Sequence, residues 1–356
     1  FIDKKISILS RSLKQDLILK TEINEENKIH IDGQLIGELK GLKFIIELTS
    51  KTLDTDIKSI KKAARRGIKE ELNKRVDKII KDQETSIDSN SKIIWKGNPI
   101  ARLKKGHDYL NPEIEIIADE SLELETKLKL EEFLKKWFSN YIDEVLRDLI
   151  NLTKQKTKNQ YLRALIFQLY EKNGVIKRSE IDRIVKLIPA EERKKLWGMG
   201  IKIGRYHVYL PKMLKPKAVE FRVSLWKIFH NLSNKHEIPK FGLNFIINKN
   251  YEKNFLLLCG FEKFNEYFIR IDILEKLFIK ILDNTKNRTF KVNAEMMNLL
   301  GCSKENFYKL MTYMNYKKDK VVDTYIFKGE KKKKEKIIRF DKKENPFNKL
   351  LSLNIK

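Results

Sequence analysis

The residues best suited to carry chemistry lie in one segment near the middle of the chain, residues 193–219. The segment reads RKKLWGMGIKIGRYHVYLPKMLKPKAV and contains no Asp or Glu, although both are common elsewhere in the chain. Its cations are Arg193, Lys194, Lys195, Lys202, Arg205, Lys212, Lys215 and Lys217, and its interleaved rings are Tyr206, His207 and Tyr209. Cations neutralise phosphates, and aromatic rings stack on unpaired bases. The segment therefore predicts a surface that binds single-stranded nucleic acid.

The same three rings also have a purely structural interpretation. They fall in the alternating apolar run from Ile201 to Leu210, which is typical of one or two strands. Neighbouring residues of a strand point to opposite faces, so at least one of the two tyrosines would lie in the core. The sequence leaves both interpretations open.

A second basic candidate lies near the carboxyl end. A predicted helix over 304–315 carries Lys304, Asn306, Tyr308 and Lys309, and a following loop carries Lys331, Lys332, Lys333 and Lys334. A recognition helix beside a basic loop could clamp a nucleic-acid backbone. The alternatives are that the lysine run is simply solvated, or that this region packs against protein.

Motifs for catalysis or metal binding are missing from the sequence. No G-x-x-x-x-G-K-[ST] loop occurs, so nothing is expected to cradle a triphosphate. The five histidines are scattered, and no C-x-x-C accompanies them. We therefore predict no catalytic residue, no metal site and no cofactor within this stretch of chain.

Composition favours a polyanionic partner. The chain has 356 residues, with 75 Lys and Arg against 49 Asp and Glu, a formal net charge of +26. Such an excess favours nucleic acid over an acidic partner protein, although a low-GC genome also enriches lysine. The 41% hydrophobic content is enough to form the hydrophobic cores of folded domains, and the length suggests two or three domains.

Other global features predict a cytoplasmic protein with no membrane partner. No apolar run approaches the roughly 18 residues of a membrane-spanning helix, and the chain begins with the charged stretch FIDKK. Two cysteines, Cys259 and Cys302, cannot form a disulfide framework, and Cys302 is expected to be a small buried residue. A first residue other than Met suggests part of a longer protein.

The amino-terminal third contains an internal duplication. Residues 28–41, KIHIDGQLIGELKG, match residues 92–106, KIIWKGNPIARLKKG, at an offset of 64. Each copy predicts a β-hairpin, a third extended stretch and then a long helix, over 54–82 and 120–150. The second helix has an apolar stripe expected to be core: Leu124, Leu128, Phe133, Trp137, Tyr141, Val145 and Leu149. We assign 1–20 to a helix that ends an upstream region, and 21–156 to a duplicated hairpin and helix domain.

The remaining chain predicts two further domains. Residues 157–230 form a basic helical and strand block, with helices over 158–172, 180–188, 189–197 and 217–230. Residues 231–270 show little pattern and are predicted to be a linker. Over 271–340 the order of predicted elements is that of a winged helix. The elements are helix 271–283, strand 289–292, helix 294–300, helix 304–315, strand 321–327, basic loop 328–336 and strand 337–340, and residues 341–356 are a tail. The predicted fold class is α+β and mainly helical, with a three-helix bundle and ragged hairpin as the alternative at the carboxyl end.

Five ordered stretches resemble one protein family. They are FIDKK at residues 1–5, WKGNPIARL at 95–103, GIKIGRYHVYLPKMLKP at 200–216, EMM with LGCS at 295–303, and Pro346-Phe347. They resemble the family's F-V-D-R-R, W-R-G-x-P-V-A-R-L, G-V-R-x-G-x-Y-H-I-x-L-P-x-L-L-K-P, E-M-M-x-L-x-G-C-S and terminal S-P-F. The family is the alphaproteobacterial helicase-related proteins, superfamily-two DEAD/DEAH-like ATP-dependent helicases similar to the mitochondrial RNA-degradosome helicase.

The resemblance covers the part of these helicases that follows the motor. It implies a motor upstream of Phe1 that binds ATP and Mg²⁺, and none of the motor's residues lies in this chain. The implied function is a nucleic-acid-binding accessory region of a helicase that acts on RNA, with the motor and RNA as partners. The alternative is a non-enzymatic scaffold that docks a ribonuclease or a ribosomal partner.

Overall fold

A computed structural model describes residues 21–31, 34–46, 57–88, 90–232, 237–248, 252–321 and 323–327. The predicted helix 1–20, the basic loop with Lys331 to Lys334, the predicted strand 337–340 and the tail 341–356 lie outside these residues. The chain divides into two compact units, Phe1–Phe278 and Ile279–Lys356. The fold is mixed, with more helix than strand and several small antiparallel sheets, which agrees with the mixed class predicted from the sequence.

Two four-stranded antiparallel sheets open the first unit. In chain order, their strands are β1 Thr21–Ile23, β2 Lys28–Ile31, β3 Gln34–Lys40 and β4 Lys43–Ile46, then β5 Thr85–Ile87, β6 Lys92–Trp95, β7 Asn98–Lys104 and β8 Glu113–Ile116. In each sheet, neighbours in sequence are neighbours in space. The helix α1, Ile57–Asp82, separates the sheets along the chain and buries Ile68, Leu72 and Val76.

The backbones of these two sheets correspond in detail. A register shift falls between Ile29 and His30 in one sheet and between Ile93 and Ile94 in the other. Asn27 and Ser91, again 64 residues apart, both have left-handed φ at the β1–β2 and β5–β6 turns. The match therefore extends to local backbone conformation as well as to strand order.

The predicted long helix over 120–150 is two helices. They are α2, Leu124–Val145, and α3, Arg147–Thr153, separated at Leu146, whose φ of −108° and ψ of 26° are not helical. The stripe expected in the core is wrong at its start, because Leu124 and Leu128 are exposed. The buried face instead carries Leu130, Leu134, Phe138 and Ile142, a set shifted around the helix axis.

The central block follows the predicted order. Its elements are α4 Gln160–Glu171, β9 Val175–Lys177, α5 Arg178–Leu187, α6 Ala190–Gly198, β10 Lys202–Ile203, β11 His207–Tyr209, a 3-10 turn Pro211–Leu214, and α7 Pro216–Phe229. The Asn159 side chain caps α4 by accepting from Tyr161 and Leu162 N–H. The three strands form a sheet in the order β10-β11-β9, which places β11 in the middle.

The segment predicted as a linker, 231–270, contains regular structure. Its elements are β12 Phe245–Ile247, α8 Lys253–Leu258, β13 Phe261–Phe264 and β14 Tyr267–Arg270, with the strands in the order β12-β14-β13. Phe255 and Phe268 are fully buried with Val219 and Val223 of α7. The prediction was wrong because strands of three or four residues are too short to show periodicity.

The second unit begins within the helix α9, Ile271–Asp283. It contains β15 Thr285–Lys286, β16 Thr289–Lys291, α10 Ala294–Leu300, α11 Lys304–Tyr313, β17 Tyr316–Lys318 and β18 Thr324–Phe327. Asn293 caps α10 and Ser303 caps α11. The strands form one sheet in the order β15-β16-β18-β17, so the predicted strand 321–327 is shorter and has β17 as an additional partner. Among the described helices, none is long and apolar enough to cross a membrane.

Candidate nucleic-acid interface

The acid-free segment 193–219 divides between two environments. Its middle, β11, is the central strand of its sheet, and all three of its residues are buried. Its two ends, on α6 and around the start of α7, lie at the surface. The acid-free segment therefore does not form one continuous surface.

Of the three rings predicted to stack on bases, two are buried and the third is half-buried against other rings. Tyr206 makes edge contacts with the rings of Phe264 and Phe278, at centroid distances of 6.2 and 5.8 Å. Tyr209 is buried, and His207 is only 1% exposed. The prediction that His207 and Tyr209 bind bases is wrong, because the central strand that carries them is covered on both faces. Tyr206, just before this strand, is half-buried and has its ring packed against Phe264 and Phe278.

Carboxylates from elsewhere in the chain surround this strand. The Glu275 carboxylate accepts backbone N–H bonds from Arg205 at 2.6 Å, and from Tyr206 and His207 at 2.9 Å each. Gly204 permits this approach, since a Cβ there would lie 2.2 Å from the Glu275 Cδ. Glu262 accepts from Lys177 and lies 2.8 Å from His207 Nε2. Because no substrate can reach so deeply buried an imidazole, this cluster joins β9, β11, β13 and α9 structurally.

The cluster gives unit 1 a pH-dependent stability. Burial alone would lower the pKa of His207, but the hydrogen bond with Glu262 and the nearby charge of Glu275, 3.8 Å from Nδ1, outweigh burial and raise the pKa above 6.5. Burial would raise the pKa of Glu262, but His207 and Lys177 outweigh it and lower that pKa below 4.5. The contribution of His207 to the free energy of unfolding is therefore complete below pH 6.5. It is lost as the pH rises through the higher pKa that His207 has in the folded protein. The contribution of Glu262 to the free energy of unfolding is complete above pH 4.5. It is lost as the pH falls through the lower pKa that Glu262 has in the folded protein.

We accordingly expect wild-type protein to lose stability between about pH 6 and about pH 9 by more than an H207Q variant does. A glutamine keeps a polar contact with Glu262 but does not titrate. Urea unfolding midpoints at the two pH values, followed by fluorescence, measure the difference. Equal changes in both proteins would contradict the assignment.

Several predicted cations are paired with carboxylates. Lys195 contacts Glu192 at 2.6 Å, Lys212 contacts Asp148 at 2.8 Å and Lys217 contacts Glu144 at 2.9 Å. The Arg205 guanidinium lies over the Phe278 ring, 5.7 Å from its centroid. These four cations are therefore less available to phosphates than the sequence suggests. The acids that pair with three of them come before residue 193, so the sequence of the segment itself does not reveal them.

Three lysines of the segment stay available at the surface. They are Lys194 on α6, Lys202 on β10 and Lys215 just before α7, and each is exposed. None of the three forms an ion pair with another described residue. This reduced set is the part of the predicted cationic surface that a phosphate could reach.

The structure adds an aromatic residue that the sequence analysis did not select. Trp197, near the end of α6, has 78% of its surface exposed. It lies one helical turn after Lys194, which places both on the same side of α6. The signal was present in the sequence, because a tryptophan followed by GMG at a helix end has few neighbours to cover it.

Trp197 borders a groove of about 430 Å³. The opposite wall is formed by α3 and the turn after it, with the amides of Asn151 and Gln155. Asp148 also lines the groove, but the ion pair with Lys212 offsets its charge. Gly200, with φ of +79°, allows the chain to pass Asp148, since a Cβ there would lie 3.1 Å from a carboxylate oxygen. The groove therefore combines an exposed indole with two amides and with the ion pair of Asp148 and Lys212.

The predicted recognition helix α11 has its cations occupied. Lys304 contacts Asp323 at 3.1 Å, and Tyr308 donates to the same carboxylate. Lys309 contacts Glu305 at 2.7 Å, and the Asn306 N–H donates to the capping Ser303 hydroxyl. Lys304 and Lys309 are therefore less available to phosphates than the sequence suggests, whereas Lys331, Lys332 and Lys333 lie outside the described residues.

Metal and thiol chemistry gain no support here. No group of three His, Cys, Asp or Glu side chains within the described ranges is arranged to hold a metal ion. Burial raises the pKa of Cys259 to about 12 and that of the half-buried Cys302 to about 11. Both thiols therefore stay protonated near neutral pH.

Comparisons of this chain with protein-family models, with curated proteins and with solved structures each returned no match.

Proposed function

We propose that this chain is the nucleic-acid-binding accessory region of an ATP-dependent helicase that acts on RNA, and that it holds a single strand at Trp197. The observation that supports the proposal best is the exposed indole beside a groove lined with amides. An indole left in water is a ready platform for an unpaired base, and stacking tolerates any base.

The groove suits a base better than it suits an ion. Asn151 and Gln155 each offer one hydrogen-bond acceptor and two donors, which match the polar edge of a base. The strand backbone outside the groove would meet cations of the segment that remain unpaired, such as Lys194. Stacking would then supply affinity, and the lysines would supply a salt-dependent attraction.

The helicase part of the proposal rests on the family resemblance. Under this proposal ATP and Mg²⁺ bind to a motor outside the chain, and the accessory region holds the strand that leaves the motor. Holding the strand converts motor steps into strand separation because the strand cannot slip back. The genomic sequence that precedes Phe1 tests this directly: a Walker A lysine and a DExH box there would support it, and their absence would contradict it.

The surface lysines provide a separate test of strand binding. In the variant K194E/K202E/K215E we expect weaker binding of single-stranded RNA and a salt dependence less steep by about 2 in log–log slope, since each single-strand phosphate contact contributes about 0.7. Fluorescence anisotropy of a labelled oligonucleotide between about 50 and about 200 mM salt measures both. The control is the variant K78E/K127E/K136E, which changes the net charge by the same amount at three exposed lysines of α1 and α2. Identical salt-dependence slopes for the two variants would show that Lys194, Lys202 and Lys215 do not contact the RNA.

Two architectural proposals accompany this function. The matching register shifts and left-handed turns support an origin of the two four-stranded sheets in a duplicated unit. The order of helices and strands from α9 to β18 supports a winged-helix-like carboxyl-terminal domain. Neither proposal depends on nucleic-acid binding.

A scaffold is the second candidate, and one observation favours it. Leu124 and Leu128 lie one turn apart on α2 with their side chains exposed, which is a pattern typical of a contact with another protein. A defined ribonuclease or ribosomal complex that survives nuclease treatment and is lost in L124D/L128D would favour the scaffold. Retention of RNA binding by the same variant would favour the proposal above.

A further inference from the structure

The sheet of the second unit has one buried face and one exposed face. Phe290, Tyr316 and Tyr325 are buried on the inner face, where Phe290 and Tyr325 are direct cross-strand neighbours. Strand residues alternate between faces, so the intervening residues point outward. The outer face carries Lys286, Thr289, Lys291, Thr324, Ile326 and Lys317.

Lysines frame this outer face. The register pairs Lys286 with Thr289, Thr289 with Ile326, and Ile326 with Lys317, which makes one row across all four strands. The next row places Lys291 beside Thr324. With strands about 4.8 Å apart, the two ends of the first row are separated by about 14 Å. The three lysines therefore surround a patch of hydroxyl and aliphatic groups.

Charges in this unit are distributed unequally between helices and sheet. The helical lysines are paired, Lys280 with Glu295, Lys304 with Asp323 and Lys309 with Glu305. By contrast, Lys286, Lys291 and Lys317 are exposed and form no ion pair with any residue that the structure describes. None of the six outward strand residues is acidic. Within the described part of the unit, the unneutralised lysines thus lie on the sheet and its turns rather than on the helices.

We propose that the outer face of this sheet, rather than the helix α11, binds the sugar–phosphate backbone of a nucleic acid. Three lysines without an ion pair match a row of phosphates, and their spacing follows the register of the strands. No aromatic ring lies among the six outward residues, so the contact reads no base and is independent of sequence. The identity of the ligand class rests on the proposed function, whereas the surface is separate from the Trp197 groove.

The variant K286E/K291E/K317E tests this surface in the full chain. Losing three backbone contacts makes the salt dependence less steep by about 2 for a single strand, which amounts to roughly 100-fold weaker binding near 0.1 M salt. Random-sequence RNA of about 30 nucleotides is the probe, and a poly-uridine of equal length should lose affinity by the same factor. Anisotropy titrations at several salt concentrations measure the loss.

The matched variant K78E/K127E/K136E changes net charge equally and is expected to keep nearly wild-type affinity. Circular dichroism melts verify that the sheet variant stays folded. Wild-type protein that binds no oligonucleotide would overturn the proposed function itself. If the wild type binds RNA and the two triple variants bind it with equal affinity, only the proposal for the sheet surface would be overturned. Loss of binding to vesicles of phosphatidylserine, with RNA binding unchanged, would assign the sheet to a membrane and overturn the proposal.

Discussion

Replacing Trp197 with alanine is expected to weaken binding of single-stranded RNA by roughly 5- to 150-fold, since a stacked base is worth about 1–3 kcal/mol. The side chain is 78% exposed, so its removal leaves little unfilled space in the protein. Thermal stability should therefore change little. Anisotropy titration at fixed salt measures the affinity, and W197F should retain most of it because a phenyl ring still stacks.

Phe167 provides the control for this experiment. It lies on α4 and is 63% exposed, so F167A also removes a large exposed ring from the surface. We expect F167A to bind RNA as the wild type does. Equal loss in F167A and W197A, or no loss in W197A, would show that Trp197 is not the platform.

Replacing Glu275 with glutamine is expected to destabilise the first unit by about 3 kcal/mol, because hydrogen bonds to a buried charged group are among the strongest. The carboxylate accepts three N–H groups with its two oxygens, from Arg205, Tyr206 and His207. A glutamine side chain has only one oxygen, and its NH₂ group would face at least one of these donors. Urea unfolding followed by tryptophan fluorescence should show the lower midpoint.

A surface carboxylate gives the comparison. Glu295 forms an exposed ion pair with Lys280, and pairs of this kind contribute little to stability. E295Q should leave the unfolding midpoint nearly unchanged. If E275Q behaved like E295Q, the carboxylate would not be holding the 205–207 backbone in place.

Local sequence signals predicted the helices well. The predicted helix over 271–283 matches α9, and the one over 294–300 matches α10. Their ends are defined by residues with strong local preferences, such as Asn293 at a cap and Gly301 with left-handed φ. Information of this kind is contained within a few neighbouring residues, so no tertiary structure is needed to interpret it.

The candidate site was harder to predict because its environment is not local. An acid-free stretch of sequence is not an acid-free surface, since Asp148, Glu262 and Glu275 come from distant elements to pair its groups. Burial of β11 depends on its central position in a sheet that includes β9. The exposure of Trp197 likewise depends on which elements pass by it.

Photocross-linking of RNA to the wild-type protein tests the central claim most directly. A single-stranded RNA containing 4-thiouridine is irradiated with the full chain, and the adducts are mapped by mass spectrometry. The account predicts an adduct on the peptide that carries Trp197, and loss of that adduct in W197A. An RNA that binds but forms adducts only on other peptides, or an RNA that does not bind at low salt, would contradict it.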